Sequence, residues 1–317
     1  MKKWLSLALL LIIVAAAMIA GCNQKPPEAE PPPAEDPIEE PELEPEAESE
    51  PKTVRRVDPV TVVINNHAAA RPQSGLQEAT IVYEFLVEGG ITRLLAVYDT
   101  LPEQDVTVGP VRSLRPYFAV QALEHGRTVA HSGYSQRTKE KISGLGIKEV
   151  TSATYLWRDN SRQAPHNLYT SMEKLYSARG TSDVTEETVT ESTLPDVSEA
   201  GPAIEVAYKD HNLVSYSYDE EGELYLRFVN GKPHKDRETG QQYTAKRVIL
   251  RQNKHTTVAG TDLVDISLEG SGDGVLYEGG RKYPIHWEKS GGKTRYTHTD
   301  GSPVDIRFYN TWIQVIR

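Results

Sequence analysis

Hydrophobic and polar positions follow three patterns along this chain. Residues 4–19 are apolar except for Ser6. From about residue 60 to residue 180, short apolar runs are separated by polar, Gly- and Pro-marked segments. Val60–Ile64, Ile81–Val87 and Thr92–Tyr98 are β-branched or aromatic enough to predict buried strands. Glu88-Gly89-Gly90-Ile91 predicts a two-residue hairpin turn centred on Gly89 and Gly90, because glycine tolerates positive φ. Tyr117–Leu123 reads as a helix opening after Pro116, and Thr128–His131 as a strand. Ser135–Leu145 reads as a helix capped by Ser135 and stopped by Gly146. From residue 204 the pattern alternates: Ile204, Val206, Tyr208; Val214, Tyr216, Tyr218; Leu224, Leu226, Phe228. Turns follow at Glu221-Gly222, Asn230-Gly231, Gly272-Asp273-Gly274, Gly279-Gly280 and Asp300-Gly301. Short strands at this spacing predict antiparallel β structure, with Lys246–Arg251 and a terminal, sheet-docked Thr311–Ile316 as further strands. The fold class expected is an α+β or α/β N-terminal domain with a mixed sheet, then a β-rich antiparallel C-terminal domain. The polar run at 181–188, with Pro195 and Gly201-Pro202 after it, places the boundary: 54–195 for the first domain, 196–317 for the second.

The apolar run at the start follows Lys2 and Lys3 and ends in Ile19-Ala20-Gly21-Cys22. A basic start, a short apolar core and small residues before the cut describe a secretory signal over residues 1–21. The run is short for a spanning helix. The Cys after Ile-Ala-Gly resembles the lipobox of bacterial lipoproteins, which implies a lipidated Cys22 as the new N-terminus and a protein held at the outer face of the cell membrane. Cys22 is the only cysteine, so no intrachain disulfide can form.

Residues 22–53 then read as a disordered tether. Positions 23–53 hold nine prolines and 11 acidic residues, and only Lys25 and Lys52 are basic. Such a segment buries too little apolar surface to offset the entropy of ordering. Fully extended it would reach roughly 95 Å at about 3.1 Å per residue. The tether also carries most of the net charge of −10; residues 54–317 hold 31 basic and 34 acidic residues. The folded part therefore lacks the basic excess of a nucleic-acid binder.

Candidate chemistry gathers at strand ends in the first half. Asn65-Asn66-His67 follow the first strand, Arg71-Pro72-Gln73-Ser74-Gly75-Leu76 come next, and Gly109-Pro110-Val111-Arg112-Ser113-Leu114-Arg115-Pro116 precede the helix. His131-Ser132-Gly133 and Ala164-Pro165-His166-Asn167 complete the set. Together with Glu88-Gly89-Gly90-Ile91-Thr92-Arg93, Gly301-Ser302-Pro303-Val304 and Thr311-Trp312-Ile313, these segments resemble the YerB-like family of bacterial lipoproteins over about residues 55–317. That resemblance implies a cell-envelope location and a two-part layout, and no established activity, catalytic residue or cofactor.

The residues themselves suggest an anion site. Arg71, Arg112 and Arg115 lie in loops beside strand ends, where ligands of α/β sheets bind, and a guanidinium fork matches phosphate or carboxylate. Asn65 and Asn66 stand with them. With Gly89 and Gly90 as turn centre, Leu86 faces Arg93, with Glu84 and Glu88 diagonal on the same face. This makes Glu84, Glu88 and Arg93 either an acid/base group or a structural ion cluster. His67, His131 and His166 lack ligand-pair spacing, so no metal is expected, and no phosphate loop, dinucleotide motif or nucleophile elbow implies a cofactor. The order of strand-end amides and arginines is similar to LytR-CpsA-Psr envelope phosphotransferases, but Asn65-Asn66 stand where a metal-binding acid would be expected. Trp287 and Trp312 read as core rather than a sugar platform. Two functions stay open: a binding or scaffold module for an anionic envelope ligand or envelope protein, and an envelope phosphotransferase or hydrolase using Glu84, Glu88 and the arginines.

Overall fold

A computed structural model describes residues 52–189, 194–307 and 310–317. The signal segment, Cys22 and nearly all of the tether lie outside the described residues. The body is built on one large sheet. From one edge its strands run Glu199–Ala200, Arg281–Ser290, Gly270–Glu278, Arg247–Gln252, Thr311–Ile316, Ile81–Leu86, Thr92–Thr100, Lys52–Asn65, Thr128–Ala130 and Lys148–Val150. The N-terminal part is mixed: Lys52–Asn65 pairs antiparallel with Thr92–Thr100 and parallel with Thr128–Ala130. The strands of the C-terminal part are antiparallel to one another around Gly270–Glu278. The last strand, Thr311–Ile316, is parallel to both Ile81–Leu86 and Arg247–Gln252 and so joins the two parts in one sheet. A second antiparallel sheet is made by Ala203–Lys209, Asn212–Asp219, Leu224–Val229, Lys232–Pro233 and Thr244–Ala245.

Both faces of the central strands are covered, which is why Ile81–Leu86 is buried at every position. Val62, Ile64, Val82, Leu94 and Trp312 line one face and pack with Val214, Tyr216 and Tyr225 of the small sheet. Val63, Tyr83, Phe85, Leu95 and Ile313 line the other and pack with Tyr117, Phe118 and Ala119 of the helix Pro116–Ala122. Trp287 and Trp312 are both core residues, 3% and 0% exposed.

Three local expectations are corrected. The hairpin turn has three residues, Glu88–Gly90, closed by a bond from Val87 N–H to the Ile91 carbonyl. Phe85 therefore faces Arg93, Leu86 faces Thr92 and Glu84 faces Leu94. A one-residue change of register moves side chains to the opposite face, so Glu84 and Arg93 lie on different sides of the sheet. The helix from Gln136 ends at Ile142, before Gly144 and Gly146, while Ser135 caps it as expected by accepting from the Thr138 N–H. In Leu224–Val229 the fully buried positions are Tyr225, Arg227 and Val229 rather than Leu224, Leu226 and Phe228, because an arginine goes inward to meet a buried carboxylate.

Candidate functional site

The segments singled out in the sequence meet at one end of the strand Lys52–Asn65. Its Asn65 N–H donates to the Pro110 carbonyl, and the Arg112 N–H donates to the Val63 carbonyl. Ser74 and Gly109 exchange both backbone bonds. Gly75 is required here: its φ is +81°, and a Cβ would stand 2.5 Å from the Thr107 carbonyl oxygen.

Past the strand end, Asn65 and Asn66 point to opposite sides of the sheet, and each begins a different network. Asn66 is fully buried and donates to Glu84 Oε1 (3.1 Å) and Thr92 Oγ1 (2.8 Å). Thr92 in turn donates to Glu84 Oε1 at 2.6 Å. Glu84 Oε2 accepts from Arg227 Nη2 at 2.6 Å, with both side chains at 0% exposure. Arg227 also donates to Tyr216 Oη and to His234 Nδ1, and its guanidinium lies 4.2 Å from the Trp312 ring centroid. His234 Nε2 donates to Gln73 Oε1 at 2.6 Å. A neutral Nε2–H tautomer satisfies both bonds, and burial, Arg227 and Arg71 push its pKa well below the ordinary value. Gln73 closes the ring by donating to Asn66 Oδ1 and the Asn65 carbonyl.

Arg71 is the outward end of this network. Its Nε donates to Asn66 Oδ1 (3.1 Å) and its Nη2 to the Asn66 carbonyl (2.8 Å). It is half-buried and has no carboxylate partner among the described residues. Burial, with Arg227 nearby, lowers its pKa, partly offset by Glu84. The side chain borders a pocket of about 370 Å³ whose wall includes Pro72, Val229, Lys232, His234 and Lys235, and no carboxylate.

On the opposite face, Glu88 holds the other candidates. It accepts from Arg93 at 3.1 Å and from Arg115 through both oxygens. Burial pushes the Glu88 carboxyl up, but Arg115 and Arg93 outweigh this and hold it below the usual range. Arg93 is buried and pushed down to about 10 by burial and Arg115. Arg112 lies beside this group, half-buried, and its guanidinium makes no hydrogen bond or ion pair with the described residues. The structure thus joins Asn66, Arg71 and Glu84 in one network and Glu88, Arg93 and Arg115 in another. Arg112 and Asn65 belong to the second side. Asn65 Nδ2 donates to His166 Nδ1 at 2.9 Å, and His166 stacks on His67 at 4.8 Å.

Four members of the first network were not read from sequence as site residues: Arg227, His234, Tyr216 and Gln314, whose Nε2 donates to Tyr216 Oη. A signal for Arg227 existed. Glu84 interrupts the run Ile81–Leu86, and a carboxylate inside a buried strand needs a cation; Arg227 lies in phase with Tyr225 and Val229.

Comparison with known proteins gives a family and no activity. The model "Protein of unknown function (DUF3048) N-terminal domain" matches residues 46–185, and the corresponding C-terminal domain model matches 204–313. A Bacillus subtilis (strain 168) protein named "Putative lipoprotein YerB" is 32% identical over 329 residues, covering 100% of this chain and 96% of its own length. The crystal structure of YerB protein from Bacillus subtilis matches with a TM-score of 0.71 at 32% identity, covering 82% of this chain and 91% of that one.

Proposed function

The chain belongs to the DUF3048 family, and we propose that it is an envelope lipoprotein, anchored outside the cell membrane through lipid on Cys22, whose body binds an anionic ligand at Arg71. The anchoring follows from the signal segment and lipobox, and is in keeping with the name of the Bacillus subtilis relative. A diacylglyceryl thioether would supply two acyl chains, enough for stable attachment.

The binding reading rests on one observation: a guanidinium fixed by two bonds to Asn66 borders a concave pocket with two lysines and no acid. Asn66 is itself held by Glu84 and Thr92, and Nη1 of Arg71 donates to none of the described residues and is left for a ligand. The enzyme reading is less well supported. Glu84 is sealed between Asn66, Thr92 and Arg227, and Glu88 is ion-paired to two arginines, so neither is placed to exchange protons with a substrate.

Calorimetric titration with pyrophosphate tests this. The protein should bind, and Arg71→Gln should weaken binding about tenfold or more, the worth of one charge-assisted bond. Arg71→Lys should recover only part, because it keeps the charge and loses the fork. Absence of binding, or a folded Arg71→Gln variant with unchanged affinity, would refute the site.

A further inference from the structure

We infer that the ligand is a chain of repeated phosphate groups, bound along a cationic track running from Lys232 and Lys235, past Arg71 and Arg162, to His166 and Arg112. This rests on the Arg71 pocket being an anion site and extends it to a second anchoring point.

Hydrogen bonds tie Arg162 to the loop that carries Arg71, and the end of the strand Lys52–Asn65 brings His166 and Arg112 together: Asn65 bonds His166, and the Arg112 N–H donates to the Val63 carbonyl. Arg162 donates to the Ala70 carbonyl (2.7 Å) and the Pro72 carbonyl (2.8 Å), the two residues flanking Arg71. Pro72 also lines the pocket that holds Lys232 and Lys235. His166 is close enough to Arg162, Arg112 and His67 for their charge to lower its pKa, although burial is the larger cause. The carboxylates that act on Arg71 and Arg112 are already engaged, Glu84 by Arg227 and Glu88 by Arg93 and Arg115. Arg71, Arg112, Arg162, Lys232 and Lys235 form no ion pair among the described residues.

The histidines are donors here. Asn65 Oδ1 accepts from the His67 N–H, so its Nδ2 is the atom that donates to His166 Nδ1. His67 Nδ1 accepts from the Ala69 N–H at 3.1 Å. Both Nδ1 atoms being acceptors, both neutral rings carry their proton on Nε2, and neither Nε2 has a protein acceptor among the described residues. Such rings do not offer Nε2 lone pairs to a metal; they offer N–H groups to an anion. Together with Arg112 they make a second donor group, separate from the one at Arg71.

Two such groups joined by a cationic strip fit a polymer better than a single small ion. Phosphate suits them better than carboxylate. The donors at the pocket come from different segments, and a tetrahedral group offers oxygens in several directions where a planar carboxylate offers two in one plane.

The test titrates the full chain in detergent with pyrophosphate, long-chain polyphosphate and polyglutamate. Polyphosphate should bind more tightly than pyrophosphate and with a steeper salt dependence, since each additional phosphate contact releases counterions. Arg112→Gln should weaken polyphosphate binding about tenfold and pyrophosphate binding less, because a polymer engages both donor groups at once. The Arg112 side chain makes no hydrogen bond to the described residues, so its loss should leave the fold intact, which the thermal midpoint checks. Arg71→Gln should weaken both ligands. Equal affinities and salt slopes for the two phosphates, or an Arg112→Gln variant with unchanged polyphosphate affinity, would overturn the track while leaving the Arg71 pocket standing. Polyglutamate binding as tightly as polyphosphate would overturn the phosphate assignment. Failure of pyrophosphate itself to bind would remove the pocket reading first.

Discussion

Replacing Glu84 by Gln should be among the most damaging single changes available to this protein. The substitution keeps the shape and removes one charge from a pair in which both side chains are fully buried and 2.6 Å apart. Glutamate offers two oxygens, one to Asn66 and Thr92 and one to Arg227. Glutamine has one acceptor. Turned toward Arg227, it sets its NH2 against the Asn66 amide nitrogen; turned toward Asn66, it sets that NH2 against the guanidinium. Either way a donor is stranded, and Arg227 keeps a buried charge with only Tyr216, His234 and the Trp312 face around it. Breaking a buried pair from one side costs about 3–5 kcal/mol, a large part of the roughly 5–15 kcal/mol that holds a domain folded. Arg227→Met alone should also be costly, since it leaves the carboxylate unneutralised. The double variant Glu84→Gln/Arg227→Met removes both charges and should cost much less than the sum. Urea unfolding followed by tryptophan fluorescence would measure the cycle, with Trp312 at 4.2 Å from the guanidinium as a local reporter. A coupling energy under about 1 kcal/mol, close to simple additivity, would show that the two buried charges do not stabilise each other.

Acid should weaken the same region. The folded His234 has its pKa far below the ordinary 6.5. Below that value the unfolded chain takes up a proton that the folded chain refuses, so the stability is complete above it and declines as pH falls. In urea melts across this range, the stability gap between the native protein and His234→Gln should narrow with acidification; a constant gap would refute the assignment. Cys22→Ser removes the thiol that would carry lipid, so the protein should leave the membrane fraction or stay unprocessed; unchanged processing and membrane association would contradict the lipobox reading.

Much of the layout was legible because it depends on local rules. Apolar β-branched runs, alternation after residue 204 and turn glycines gave the mixed sheet first and antiparallel strands later. Ser135 announced its helix because a hydroxyl at that position satisfies an amide that the helix leaves open. The strand-end loops were also visible, as clusters of Gly, Pro, Asn and Arg. What local rules do not contain is the partner across a long chain separation. The Glu88–Gly90 turn has three residues rather than two, and that single residue decides whether Arg93 falls on the same face as Glu84. Glu84 then meets Arg227, 143 positions away, and Arg71 comes to face Lys232 and Lys235. The sequence by itself determined which stretches form strands, where the mixed part gives way to the antiparallel part, and which loops carry arginine. Tertiary structure decided which arginines are sealed with a carboxylate and which are left facing a pocket, because charge pairing is settled by distance in space and by burial, neither of which is a property of neighbouring residues.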